Sequence, residues 1–180
     1  MNIGVSYREL FRYDPSVLEE LLGKVNADIW EKNDFRQTTF EVHRKTKSIV
    51  YVWSHPSDDE YAAIETHIDR TEPLHAEVWK AATTIRDYYS SDATITKLML
   101  AKLSPRSDIR EHYDGGNLAR IHRCHLPIIT NAACTFLIDG IPHHFGPTGV
   151  VEISNQLLHG FVNDSDKDRV HLICDVLASR

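Results

Sequence analysis

Cysteine is scarce in this chain. Cys124, Cys134 and Cys174 are the only three in 180 residues. An odd number without a CxxC pair argues against a disulfide framework and against a thiolate zinc site. They are expected as reduced thiols buried in strands. Positive charge is also in deficit, with 20 Lys and Arg against 26 Asp and Glu and a net charge of −6. No basic face is advertised, which makes nucleic acid a poor main partner. No apolar run reaches membrane-spanning length, and the opening MNIGVSYREL lacks the pattern of a signal peptide. A cytoplasmic location with no membrane partner is therefore expected. Internal repeats and low-complexity tracts are missing too. What remains is an ordinary globular composition, 42% hydrophobic and 26% charged, long enough for one domain with a sizeable core. Histidine is the exception: eleven residues are many for this length.

The first third reads as mixed support. Asp14-Pro15 opens a helix, with Asp14 as N-cap and Pro15 in the first turn. Val17, Leu18, Leu21, Leu22 and Val25 form its apolar face. Thr38 to His43 alternates and Ile49 to Trp53 is β-rich, so both read as strands, separated by the basic turn Arg44-Lys45-Thr46-Lys47. His55 to Asp59 reads as a polar loop. The clearest helix runs from about Glu72 to Tyr89, with Leu74, Val78, Ala81, Ala82, Ile85 and Tyr88 on one side. It is expected to pack on a sheet or on the first helix.

From Thr94 onward short β-type runs follow one another: Ile95–Leu103, Leu118–Ile129, Cys134–Ile138, Gly149–Ile153, Leu157–Val162 and Val170–Leu177. Ser104-Pro105, Asp114-Gly115-Gly116-Asn117, Thr130-Asn131, Asp139-Gly140, Gly146-Pro147 and Asn163-Asp164 punctuate them as turns. Many short strands at even spacing imply a sandwich or jelly roll. The reading is one domain spanning residues 1–180, with support from 1–93 and a β core from 94–180.

The chemistry concentrates in Glu111-His112-Tyr113-Asp114-Gly115-Gly116, which follows a strand and enters a turn. In extended backbone residues two apart share a side, so His112 and Asp114 can converge. An imidazole and a carboxylate are two thirds of the facial triad of non-haem Fe(II) oxygenases. His159, in Asn155-Gln156-Leu157-Leu158-His159-Gly160, is the leading third ligand. Such a triad leaves three positions open, enough for a bidentate 2-oxo acid and O2. Arg169, ten residues on, opens a strand-like run and offers a rigid guanidinium for bidentate grip of a distal carboxylate. It is expected in the same cavity, on the strand next to the one carrying His159. HxD alone is weak. HxD, then a histidine 47 residues later and an arginine ten beyond that, is far more specific.

These strings resemble the aspartyl/asparaginyl β-hydroxylase-like branch of the 2-oxoglutarate oxygenases, and are similar to the bacterial free-proline hydroxylases assigned to it. The resemblance covers roughly Lys97 to Val176, through IREHYDGG, RIHRCHLPIITN, GPTGVVEISNQLLHGFVN and DRVHLICDV. It implies an α+β fold with a double-stranded β-helix (jelly roll, cupin-like) core. It also implies Fe(II), 2-oxoglutarate and O2, with release of succinate and CO2. Arg123 and His125 match the family's RxHL string. They share one face of a strand, and the resemblance assigns them to substrate or cosubstrate carboxylates. Two departures matter. The animal enzymes lack a carboxylate at the position of Asp114, and a serine that helps them hold the cosubstrate has Ala101 as its nearest counterpart here.

Blander readings stand beside these. Asp114 could serve only an Asx-turn, Arg169 could pair with Asp166 or Asp168, and Arg123 and His125 could be structural. His143-His144 point to opposite strand faces and read as turn-edge residues. His171 fits the pocket or the core equally. Tyr7, Tyr13, Trp30, Trp53 and Trp79 read as core. The functional expectation is a dioxygenase hydroxylating an unactivated C–H of a small carboxylate or amino acid. Its rivals are a hydroxylase of an Asp, Asn or Pro residue in a protein, and a non-catalytic cupin-like binding module. A closed pocket would favour the small molecule, an exposed groove the peptide.

Overall fold

A computed structural model describes residues 1–54, 63–66 and 68–178. The polar loop expected at His55 to Asp59 lies outside the described residues. Among those described, eleven strands run in chain order: β1 Tyr7–Arg12, β2 Thr46–Trp53, β3 Ile64–Glu65, β4 Thr94–Leu103, β5 Ser107–His112, β6 His122–Ile129, β7 Cys134–Ile138, β8 Ile141–His143, β9 Gly149–Ile153, β10 His159–Asn163 and β11 Arg169–Leu177. Three α-helices accompany them: α1 Ser16–Leu22, α2 Phe35–Thr39 and α3 Pro73–Tyr89.

The strands make two antiparallel sheets, one of seven in the order β1-β9-β6-β11-β4-β2-β3 and one of four in the order β5-β10-β7-β8. Strands consecutive in sequence alternate between sheets, as in β9, β10 and β11, which is the double-stranded β-helix expected. The Asp139-Gly140 turn joins β7 to β8 with φ of 53° and 72°, the pair of positive φ angles that a two-residue hairpin requires. The first third also contributes strands to the seven-stranded sheet: β1 pairs with β9, and β2 with β4.

Period-two alternation divides this sheet into two environments. On β11, Val170, Leu172, Cys174 and Val176 face outward; on β6, Cys124, Leu126 and Ile128; on β4, Leu98 and Leu100. Against them pack Leu18 and Leu22 of α1 and Leu74, Val78, Ala81, Ala82 and Ile85 of α3. α3 thus rests both on the sheet and on α1. Tyr88 instead lies half exposed at its end. The main apolar core is therefore outside the barrel. All three cysteines are free and buried in strands, as expected.

Several boundaries differ from expectation. Pro15, not Asp14, takes the N-cap position of α1, yet the Asp14 carboxylate still accepts from the Ser16 N–H at 3.0 Å. Thr38 to His43 is not a strand but the end of α2 and a 3-10 turn at Glu41–His43. Asp34 is the N-cap of this helix, and the Asn33 side chain just ahead of it accepts from the Phe35 N–H at 3.2 Å. Six alternating residues do not separate strand from helix without such start signals. Thr46 and Lys47, read as a turn, already belong to β2. Gly116–Arg120 is a 3-10 turn ahead of β6, and Leu157 lies in a turn ahead of β10, its N–H bonded to the Ser154 carbonyl.

Candidate active site

β5 and β10 are register partners, and His159 sits opposite His112. Their rings are 4.6 Å apart between centroids. Asp114 lies two residues past the end of β5. One ligand atom from each of His112, Asp114 and His159 falls within 4.8 Å of the other two. The sequence-predicted triad therefore converges. His143 and His144 do not join it: His143 packs on Tyr7 and Phe145, and His144 Nδ1 donates to the Cys134 carbonyl at 2.9 Å.

The backbone sets both tautomers. His112 Nδ1–H donates to the Arg110 carbonyl at 2.8 Å, and His159 Nδ1–H to the Leu157 carbonyl at 2.9 Å. A carbonyl only accepts, so Nδ1 carries the proton and Nε2 is left as the ligating lone pair. The Asp114 loop is braced by the segment before β10. Asp114 N–H donates to the Asn155 carbonyl at 3.2 Å, and Gln156 Nε2 donates to the Asp114 carbonyl at 2.6 Å. Burial alone would raise the Asp114 pKa. The charges of Arg123, His159 and His112 outweigh it and hold the carboxyl at about 2. Burial lowers the His159 pKa to about 4, against the pull of Asp114. The donor set is two imidazoles, each with Nε2 left for a metal, and a carboxylate, which suits a facial-triad metal.

The triad opens into a cavity of about 380 Å³. Arg169 lines it from β11, but β11 belongs to the seven-stranded sheet and β10 to the other. The expectation of neighbouring strands is thus corrected. Arg169 follows His159 in the chain and faces it across the barrel, because the connection crosses between sheets. Its guanidinium lies 3.8 Å over the Phe161 ring, and Nη2 contacts His171 Nδ1. It is 2% exposed, and its Nε has no partner. Asp168 pairs with Lys102 instead, at 3.4 Å. Burial pushes the Arg169 pKa down to about 9, still charged at neutral pH. A buried cation without a carboxylate costs several kcal/mol unless an anion joins it.

The other inward residues of the large sheet follow by alternation. His125 on β6 is buried with both ring nitrogens unpartnered, and His171 Nε2 is likewise without a partner. Burial, before the nearby arginines, drives both pKa values far below the usual range. Arg123 is fully engaged. Its Nε and Nη2 grip Asp175 at 2.9 and 2.7 Å, and its Nη1 meets Asp114. Ala101 lines the cavity and offers no hydroxyl. Its register partner Ser48 on β2 shares that face, with its Oγ buried and unpartnered.

Sequence reasoning missed Asp175, Lys97, Arg36 and His43. Asp175 was legible as the sixth residue beyond Arg169 on one strand face. It is register partner to both Arg123 and Lys97. His43 comes from the Thr38–His43 segment misread as a strand, Arg36 from the stretch just ahead of it, and neither carries a motif. Trp53, expected in the core, lines the cavity with Lys97 4.4 Å above its ring. Trp30 is in the core as expected.

A double-stranded β-helix holding two histidines and a carboxylate at its mouth is the architecture of the jelly-roll oxygenases. The chain belongs to the aspartyl/asparaginyl beta-hydroxylase family, whose model matches residues 61–179, and it is an oxygenase. A prolyl-4-hydroxylase of Pseudomonas putida shares the fold, with a TM-score of 0.58 at 14% identity over 97% of this chain and 94% of that one. A 2OG-Fe(II) oxygenase family protein of Burkholderia pseudomallei superposes with a TM-score of 0.56 at 11% identity, over 75% and 71% of the two chains. No curated protein sequence matches. Among the described residues no helix is long and apolar enough to cross a membrane.

Proposed function

We propose that this oxygenase depends on Fe(II) and 2-oxoglutarate and hydroxylates a C–H bond of a small carboxylate or amino acid. His112, Asp114 and His159 would hold the metal, and Arg169 the distal carboxylate of 2-oxoglutarate. The observation that carries this reading is a buried guanidinium, that of Arg169, with no counter-ion among the described residues, in the same cavity as the metal-capable triad. A dianionic cosubstrate in this cavity would satisfy Arg169 Nε and the ring N–H of His125. Bound there, Fe(II) and 2-oxoglutarate supply oxygen activation, with succinate, CO2 and an alcohol as products.

The chain's own residues supply placement. The Arg110 and Leu157 carbonyls aim the two imidazoles. Arg123, anchored by Asp175, keeps Asp114 ionised and fixes its orientation. Phe136 and Phe161 wall the Arg169 end, packing edge to face at 5.3 Å and limiting water near the guanidinium. The triad carboxylate at Asp114 also speaks against halogenation, which needs that position for halide.

The family's own description favours a second reading, hydroxylation of an Asp or Asn residue in a protein. A cavity of about 380 Å³ with buried cations in its wall favours the small carboxylate. One experiment decides: incubate the protein with Fe(II), 2-oxoglutarate, ascorbate and a panel of free amino acids and peptides, then measure succinate and a mass gain of one oxygen. Absence of 2-oxoglutarate consumption under every condition would refute the cosubstrate. Turnover of peptides alone would move the substrate to the protein residue.

A further inference from the structure

The cavity has a second buried cation, at its N-terminal wall. Arg36, on α2, is 6% exposed, and its Nη1 is buried with no hydrogen-bond partner. It forms no ion pair among the described residues. Arg36 and Arg169 line the same cavity from different elements, Arg36 from α2 and Arg169 from β11, where its guanidinium sits over Phe161.

Its surroundings form a subsite. Phe40 packs edge-on to His43 at 6.2 Å, and His43 packs edge-on to the triad's His112 at 5.8 Å. His43 Nδ1 is buried and unpartnered as well. Trp53 and Lys97 complete this wall. A molecule seated here would lie against His112, with its reacting carbon near the metal-capable cluster.

Charge decides what that molecule is. Among the described residues, Arg36, Lys97, Arg123 and Arg169 are buried cations on the barrel's inner side, whereas Asp114 and Asp175 are the buried carboxylates there. Asp175 and Asp114 are taken by Arg123, and Lys97 shares Asp175 at 3.8 Å. Arg169 is the grip assigned above to the cosubstrate. Among the described residues Arg36 is left without a counter-anion, a state that costs several kcal/mol in a buried site.

We propose that Arg36 anchors a carboxylate of the substrate, beside His43, so that the segment ahead of the family-matched region 61–179 selects anionic substrates. This deepens the reading under "Proposed function" and rests on it. It also gives the substrate role to Arg36, because all three nitrogens of Arg123 already donate to carboxylates. A planar guanidinium grips a carboxylate through two parallel bonds, which Lys cannot reproduce.

The test uses the full chain loaded with Fe(II) and 2-oxoglutarate without oxygen. Calorimetry then measures binding of the free amino acids, small dicarboxylates and the α-amide of each. At least one carboxylate is expected to bind, with its amide weaker by about 10- to 100-fold. Arg36→Gln should bring the carboxylate down to the level of the amide, and Arg36→Lys should fall between. Circular dichroism and the thermal midpoint check folding, and Arg36→Lys serves if Arg36→Gln does not fold. If 2-oxoglutarate binds but no carboxylate does, the anchor is overturned. It is also overturned if a carboxylate and its amide bind alike, or if both folded variants bind as the unaltered protein does. If 2-oxoglutarate itself fails to bind in the presence of Fe(II), the cosubstrate reading fails and the anchor falls with it.

Discussion

The two faces of β11 occupy different solvents. Val170, Leu172, Cys174 and Val176 point to the helices and bury completely among aliphatic side chains. Arg169, His171, Ile173 and Asp175, interleaved with them, point into the barrel, where three of the four are polar and all but shielded from water. The same division runs through β6, with Leu126 outward and Arg123 and His125 inward. Each Leu removed from water on the outer face contributes about 1.5–3 kcal/mol. On the inner face a buried charge is a cost unless paired. Stability and chemistry thus sit back to back on the same strands, separated by one residue of register. A one-residue slip would exchange them completely.

The sharpest way to break this division is on the inner face. His159→Ala should reduce Fe(II)-dependent succinate formation to background while leaving the thermal midpoint within a few degrees, since the apolar core is elsewhere. Full activity in that variant would sink the metal assignment. On the outer face, Leu126→Ala should do the opposite. It should cost about 2–5 kcal/mol of unfolding free energy, measured by denaturant titration, with turnover per folded molecule retained. If activity falls and stability does not, the two faces are not independent.

Arg169→Lys keeps charge and loses the fork. The 2-oxoglutarate concentration for half-maximal activity should rise about 10- to 100-fold, while the Fe(II) requirement stays close to that of the unaltered enzyme. Gly160→Ala probes the seam next to His159. A Cβ there would meet the Ile109 carbonyl at 2.8 Å, pushing β5 from β10 and the two histidines apart. Weaker metal binding by titration is expected, with the outer core intact.

The smallest effect lies beyond the barrel, at Glu152 of β9. Burial would raise its pKa, but hydrogen bonds from His122 at 2.6 Å and Arg8 Nε at 2.7 Å hold it below the usual glutamate value. A depressed carboxylate stabilises the fold above its unfolded pKa and loses that contribution as pH falls through the folded value. The thermal midpoint should therefore decline on acidification below the ordinary glutamate range. Glu152→Gln should flatten that decline without altering 2-oxoglutarate dependence. An unchanged acid limb would show that other carboxylates dominate it.

The sequence by itself determined whatever depends on local spacing. The alternation on β4, β6 and β11, the Asp139-Gly140 hairpin, the 73–89 helix and the HxD pair are settled by neighbours two to four residues away, where backbone geometry fixes side-chain direction. His159 and Arg169 were legible at longer range because their spacing and flanking strings carry a family resemblance. Only the tertiary structure decided the rest. It placed Arg169 across the barrel from His159, since strand order within sheets is not written in chain order. It gave Arg123 to Asp175 on the neighbouring strand and to Asp114 in the loop after β5, because partners 52 and 9 residues apart leave no periodic trace. It brought His43 to the triad from a segment whose alternation suggested a strand, and Arg36 to the same cavity from the stretch just ahead of it. Burial of a lone charge is a property of the assembled cavity, and no string of residues specifies it before the two sheets and the N-terminal helices meet.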